Sequence, residues 1–137
     1  MAIELKYADI TEKIIGCAMI VHRKMKAGYS ELIYSRCLAI EFDKIHLPYK
    51  KEVELPIYYD EIIVGKRRVD FLIDDKIVVE LKAIAELTDK ELNQALNYLE
   101  NHKQEFGLLI NFGARSLQFK RLINQKRMAI QNNPANP

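Results

Sequence analysis

Two cysteines in 137 residues, Cys17 and Cys37, are too few for a disulfide framework. Both lie in segments with helical periodicity and read as reduced core thiols of a cytosolic protein. The three histidines, His22, His46 and His102, show no ligand spacing, so a Cys/His zinc pattern is missing. His22, beside Arg23 at a helix end, reads as a structural or capping residue. No apolar run approaches the roughly 20 residues of a membrane span. The opening M-A-I-E-L-K lacks the charged-then-apolar order of a signal peptide, so a soluble, cytoplasmic protein with no membrane partner is expected. There is no glycine-rich phosphate loop and no Ser–His or Cys–His signature, which argues against nucleotide-loop chemistry and acyl-transfer hydrolysis. A strong charge of one sign is also absent. The net charge is +2, too small to establish a nucleic-acid partner. Local basic clusters stand at Lys50-Lys51, Lys66-Arg67-Arg68, Lys120-Arg121 and Lys126-Arg127. Solvated surface and phosphate contact both account for such clusters, and charge alone does not separate them.

What is present is enough chain for one core. A domain of this length buries roughly 68–70% of the surface its unfolded chain exposes, and one domain over residues 1–124 with a flexible tail over 125–137 is expected. Ile10, Ile14, Ala18, Val21 and Met25 form one face of a helix between about Asp9 and Lys26. Ser30 is placed to cap a second helix whose apolar stripe would be Leu32, Ile33, Cys37, Ile40 and Ile45, ending before Pro48. Three strands follow: one with Val53, Leu55, Ile57 and Tyr59, one over Ile62–Ile73 with a bend at Gly65, and one over Lys76–Ala83. Thr88-Asp89-Lys90-Glu91 is a capping box opening a helix with an apolar face of Leu92, Ala95, Leu96 and Leu99. Phe106–Phe112 suits a buried strand, and Ser116–Ile123 another strand or an amphipathic edge. The order ααβββαββ describes an α/β domain, a mixed central β-sheet flanked by helices.

Three charges interrupt the aliphatic hairpin R-V-D-F-L-I-D-D-K-I-V-V-E-L-K-A. A two-residue loop at Asp74-Asp75 would scatter the acids over both faces. A three-residue loop, Asp74 to Lys76, pairs Ile73 with Ile77 and Asp70 with Glu80. Val69, Phe71, Ile73, Ile77, Val79 and Leu81 then share an apolar face, and Asp70, Leu72, Val78, Glu80 and Lys82 share the other. Because a one-residue slip inverts every side chain, this segregation selects the three-residue loop, with a left-handed residue at Asp75 or Lys76. Asp70 and Glu80 become cross-strand neighbours with Cβ atoms about 4.5–5.5 Å apart. Facing carboxylates repel unless a cation or a proton intervenes. Two readings remain open at this point. Lys82 completes a self-satisfied ion triad, or the acids hold a hard divalent cation, magnesium or manganese, with Lys82 beside the attacking water.

Asp70 followed by Glu80-Leu81-Lys82 resembles the signature of the PD-(D/E)XK nuclease superfamily, an acid on one strand and then acid-any-Lys on the next. Gly28 to Tyr34, G-Y-S-E-L-I-Y, matches the motif naming the GxxExxY protein family, a small bacterial branch of that superfamily. The V-H-R before it and the later L-L-I-N-F are similar too, and the resemblance covers roughly residues 8–123. Val69 stands where the superfamily signature has proline.

The resemblance implies a restriction-endonuclease-like core and Mg2+- or Mn2+-dependent cleavage of DNA phosphodiester bonds by in-line water attack. The metal would be held by Asp70, Glu80 and the Leu81 carbonyl. Glu31 is carried over as the helix-borne acid supporting the site. Gln94, in the Q-x-x-x-Y spacing of recombination-type exonucleases, joins Asp70, Glu80, Lys82 and Glu31 as a catalytic candidate. Tyr34, Arg68 and Tyr98 are candidates for substrate contact. The partner expected is nucleic acid, DNA first, with a second copy of the chain or a partner protein also in view. The competing reading is a catalytically idle subunit that keeps the nuclease fold to bind nucleic acid or protein.

Overall fold

The structure, a computed structural model, describes residues 6–126. Helix α1 (Ala8–Met25) buries the expected Ile14, Ala18 and Val21, joined by Cys17 and His22. His22 is a core residue whose Nε2 donates to the Ala114 carbonyl at 2.9 Å. Gly28, at φ 121°, takes the chain round to helix α2 (Glu31–Lys44) in a conformation that a side chain would strain. Ser30 occupies the N-cap position, but its hydroxyl makes no capping bond.

The face that α2 buries differs from the expected stripe. Tyr34, Ser35, Leu38 and Phe42 are buried, whereas Leu32, Ile40 and Ile45 are exposed. Apolar residues surround this helix, so periodicity is ambiguous, and the bulky aromatics settle the seam. Phe42 meets Phe71 edge-on with centroids 5.3 Å apart, and Tyr34 stacks on Phe112 at 4.7 Å.

Strands β1 (Tyr49–Tyr59), β2 (Ile62–Ile73) and β3 (Ile77–Lys82) form an antiparallel meander. Helix α3 (Asp89–Asn101) then crosses to β4 (Phe106–Asn111), which runs parallel to β3, and β5 (Gln118–Ile123) pairs antiparallel with β4. The sheet order is β1-β2-β3-β4-β5. The expected order ααβββαββ and the mixed α/β sheet are those of a restriction-endonuclease-like core. Around the expected bend at Gly65, the β1–β2 register shifts and leaves Val64 unpaired. The capping box of α3 is formed, with the Thr88 N–H donating to Glu91 Oε2 at 2.9 Å. At the other end of α3, His102 Nδ1 donates to the Pro56 carbonyl at 2.7 Å, tying the helix to β1.

The sheet separates two cores. On the α1/α2 side lie Ile14, Leu38, Phe42, Phe71, Ile73, Ile77, Val79 and Leu81 with the β4 residues Leu108 and Ile110. On the α3 side lie Leu55, Val69, Leu72, Val78, Ala95, Leu99, Leu109 and Leu122. The hairpin register is the expected one: Phe71 pairs with Val79, Leu72 with Val78 and Ile73 with Ile77, around a three-residue loop. Asp74 and Asp75 are both left-handed there, at φ 51° and 55°, and the Lys76 N–H returns to the Ile73 carbonyl at 2.9 Å.

Val69 departs from the expected pattern. It packs on the α3 side together with Leu72, so the alternation of β2 switches face between Val69 and Asp70. The neighbouring β1 does the same: Tyr49 packs on the α1/α2 core and Val53 and Leu55 on the other. Glu52, which stands opposite Asp70 in that register, has a left-handed φ of 56°, and this local reversal is where both strands roll over.

A buried asparagine fastens the chain just after β3. Asn111 Oδ1 accepts from the Ile84 N–H at 3.0 Å, and its Nδ2 donates to the Ile84 carbonyl at 2.9 Å. Gly113 passes so close that a Cβ there would lie 2.3 Å from the Ile84 nitrogen. Of the tail expected over 125–137, only Gln125 and Lys126 are among the described residues, and both are helical; the rest lies outside them. No described helix is long and apolar enough to cross a membrane.

Candidate active site

The β2–β3 ladder stops at Phe71 and Val79. Beyond that pair the Leu81 N–H is accepted by the side chain of Asp70, Oδ2, at 2.7 Å. A carboxylate thus takes the place of a ladder carbonyl. This pins Asp70 against β3, beside Glu80, and opens a cavity of about 170 Å³ on the α3 side of the sheet. Asp70, Glu80 and Lys82 line it from the strands, Gln94 and Tyr98 from α3, and Glu31 from the first turn of α2. Arg68 is exposed at its rim. Leu81 borders it as well; its side chain is buried in the opposite core, so its backbone is what faces the cavity.

Tyr34 is placed elsewhere. Its ring is fully buried between the helices and the sheet, stacked on Phe112, and its hydroxyl donates to the Lys26 carbonyl. It has no solvent-facing surface to offer a substrate. Its position builds the α1–α2 corner that presents Glu31.

Arg67 enters the site without having been foreseen. Its Nη1 donates to Glu80 Oε1 at 2.7 Å, and its guanidinium lies 3.7 Å from the centre of the Tyr98 ring. Period-two alternation from Asp70 would put Arg67 on the far side of the sheet. The face switch at Val69–Asp70 brings both to the same side. The available signal was the pair of adjacent arginines in R-R-V-D, one of which must share a face with the acid whichever way the strand turns.

The ion triad expected as one alternative therefore has a different cation. Among the described residues, Arg67 neutralises Glu80, and the Lys82 ammonium makes no ion pair or hydrogen bond. Burial pushes the Glu80 carboxyl up to about 6. Arg67 works against that shift, and the neighbouring Asp70 carboxyl reinforces it by charge and by hydrogen bonding. A largely enclosed Glu80 beside a second carboxylate marks a site with a deficit of positive charge.

Among the described residues no group of three or more His, Cys, Asp and Glu side chains is set to cage a metal. The donors present fit a hard ion of another kind. Magnesium binds through one or two carboxylates, retains waters and takes its remaining ligands from a phosphate. Asp70, Glu80 and the Leu81 backbone are an all-oxygen set of that type, opening onto a cavity rather than closing round an ion.

A sheet of this topology, carrying an acid on one strand and an acid and a lysine on the next, defines a nuclease-type α/β domain. The chain belongs to the PD-(D/E)XK nuclease superfamily, whose family model matches residues 8–122. No curated protein sequence matches it. Among solved structures, the crystal structure of SSO0001 superposes with a TM-score of 0.54 at 16% identity, over 95% of this chain and 71% of that one. That likeness is one of fold.

Proposed function

We propose that the protein is a metal-dependent nuclease of the GxxExxY branch that hydrolyses DNA phosphodiester bonds by in-line attack of water. The observation that carries this reading is the meeting of Asp70 and Glu80 at a cavity also lined by Lys82, whose ammonium has no partner among the described residues. Asp70, Glu80 and the Leu81 carbonyl would hold magnesium or manganese, which supplies Lewis-acid chemistry to the phosphate and makes water a better nucleophile.

Around that group each side chain has a task set by its place. Asp70, whose Oδ2 accepts from the Leu81 N–H, is fixed at the cavity wall, where its carboxylate would meet the metal. Lys82 has no competing partner among the described residues, so its ammonium is available to orient the attacking water or to balance charge growing on the phosphoryl oxygens. Gln94 and Glu31 border the same space, suited to ordering water and supporting the acids. Arg68, at the rim, suits a flanking phosphate. Two free cysteines are consistent with a reducing, cytoplasmic setting.

A second reading, a subunit that binds nucleic acid without turnover, is favoured by one feature: Arg67 already occupies a Glu80 oxygen. Incubation of the purified protein with duplex and single-stranded DNA separates the two. With Mn2+ or Mg2+, cleavage is expected and chelator stops it. Asp70→Ala and Lys82→Ala each lower the rate by at least about 10³-fold while circular dichroism stays unchanged. Cleavage that survives both substitutions or ignores chelator rejects the mechanism. DNA binding without cleavage at any metal concentration selects the idle subunit.

A further inference from the structure

Glu80 is largely enclosed, its side chain 12% exposed, and its Oε1 is held by Arg67. The arginine is in turn 26% exposed and sits over the Tyr98 ring, 3.7 Å from its centre, at the cavity wall. A guanidinium placed in this way keeps its remaining N–H donors at the planar edge, and it can rotate in its own plane without leaving the aromatic face. Lys82 shows the contrast. Its ammonium has no partner among the described residues, so nothing must break before it acts. Arg67 is engaged with Glu80 through Nη1, so a divalent ion approaching Oε1 would meet its positive charge and compete with it for that oxygen.

We propose that Arg67 is a displaceable guard of Glu80: it holds Oε1 while the site has no divalent ion, then yields the carboxylate to that ion and swings its N–H edge, still stacked on Tyr98, toward the substrate phosphate. This rests on the nuclease reading above. The exchange needs no change of fold, since a second cation beside Glu80 repels the first and the incoming phosphate offers the fork of donors a better-matched, bidentate acceptor. Arg67 is thus a positioning residue in the free protein and a phosphate contact in the loaded one, and cation and substrate would bind in a mutually supporting way.

The decisive experiment measures metal affinity apart from activity. The full chain is titrated with Mn2+ alone by calorimetry at pH 8, as wild type, Arg67→Gln and Asp70→Asn. Arg67→Gln is expected to bind Mn2+ about tenfold more tightly than wild type, because nothing has to be displaced, and Asp70→Asn to lose binding. A merely structural arginine would leave the affinity unchanged or lower it on removal. In parallel, the Nε–Hε resonance of Arg67 in 15N-arginine-labelled wild type should shift on saturation with Mg2+, which keeps the test valid if Arg67→Gln folds poorly. Equal or weaker Mn2+ binding by Arg67→Gln, or an Arg67 resonance that does not move at saturation, overturns the guard and leaves the nuclease reading standing. Absence of Mn2+ binding in wild type and Arg67→Gln alike overturns both.

Discussion

The two faces of the sheet have been put to different uses. The α1/α2 face is dry and aromatic: Tyr34, Phe42, Phe71 and Phe112 are fully buried there, and ring contacts link Tyr34 to Phe112 and Phe42 to Phe71. The α3 face has a smaller aliphatic core that gives way, at the end of the β2–β3 ladder, to the strand-borne charges Arg67, Asp70, Glu80 and Lys82 and a cavity. One face supplies the apolar burial that lets the other carry carboxylates against their preference for water. Stability and chemistry are thus divided across a single layer of backbone, and each side can be altered to test the division.

The largest expected effect lies on the dry face. Phe42→Ala should destabilise by about 3–5 kcal/mol, and Leu38→Ala by about 2–5 kcal/mol, read by urea unfolding. Ile40→Ala, two residues from Leu38 but 56% exposed, should stay within about 0.5 kcal/mol. Equal losses at Leu38 and Ile40 would mean that the seam of α2 has been misplaced.

The clamp after β3 comes next. Gly113→Ala drives a methyl into the Ile84 backbone and should cost about 1–3 kcal/mol as the turn shifts. Because that turn holds the end of the Lys82 strand, any DNA cleavage should fall in the same variant. A stable Gly113→Ala protein with full activity would show that the loop after Lys82 is not held from β4.

On the charged face the sign reverses. The Glu80 carboxyl is raised from its usual 4.5 to about 6, so the folded protein holds that proton more tightly than the unfolded chain. Its contribution is fully present below pH 4.5 and is lost as the pH rises through about 6, a change of about 2 kcal/mol at 1.36 kcal/mol per unit. In chelator, the stability of wild type relative to Glu80→Gln should therefore fall by about that amount between pH 4.5 and pH 7. At neutral pH the variant should be at least as stable as wild type and inactive. A pH-independent difference between the two proteins would remove the argument that Glu80 is held at a cost.

Much of this division could be read in the chain. The order of elements follows from periodicity and punctuation, and the hairpin register follows from segregating Asp70, Glu80 and Lys82 from their aliphatic neighbours. The capping box T-D-K-E marked the start of α3, and the resemblance to the Q-x-x-x-Y spacing singled out Gln94 and Tyr98 on it. Two things escaped for related reasons. The buried face of α2 was hidden because apolar residues lie all round it, so only tertiary packing of Tyr34 and Phe42 chooses among them. Val69 was misplaced and Arg67 was missed because period-two alternation was carried through a point where the strand rolls over. A left-handed Glu52 in the adjacent strand is a backbone event, and its residue type does not announce it.

That event at Glu52 has a consequence for how the chemistry is held. β1 lies at the edge of the sheet and contributes none of the acids, the lysine or the arginine. Yet its reversal accompanies the roll that sends Arg67 and Asp70 to a common side. Straightening that outer strand would carry Val69 back among the aromatic rings and turn Asp70 out of step with Arg67. The alignment of the reactive groups is therefore coupled to a border strand that supplies none of them, and a substitution that relaxes Glu52 would reach the chemistry through backbone geometry alone.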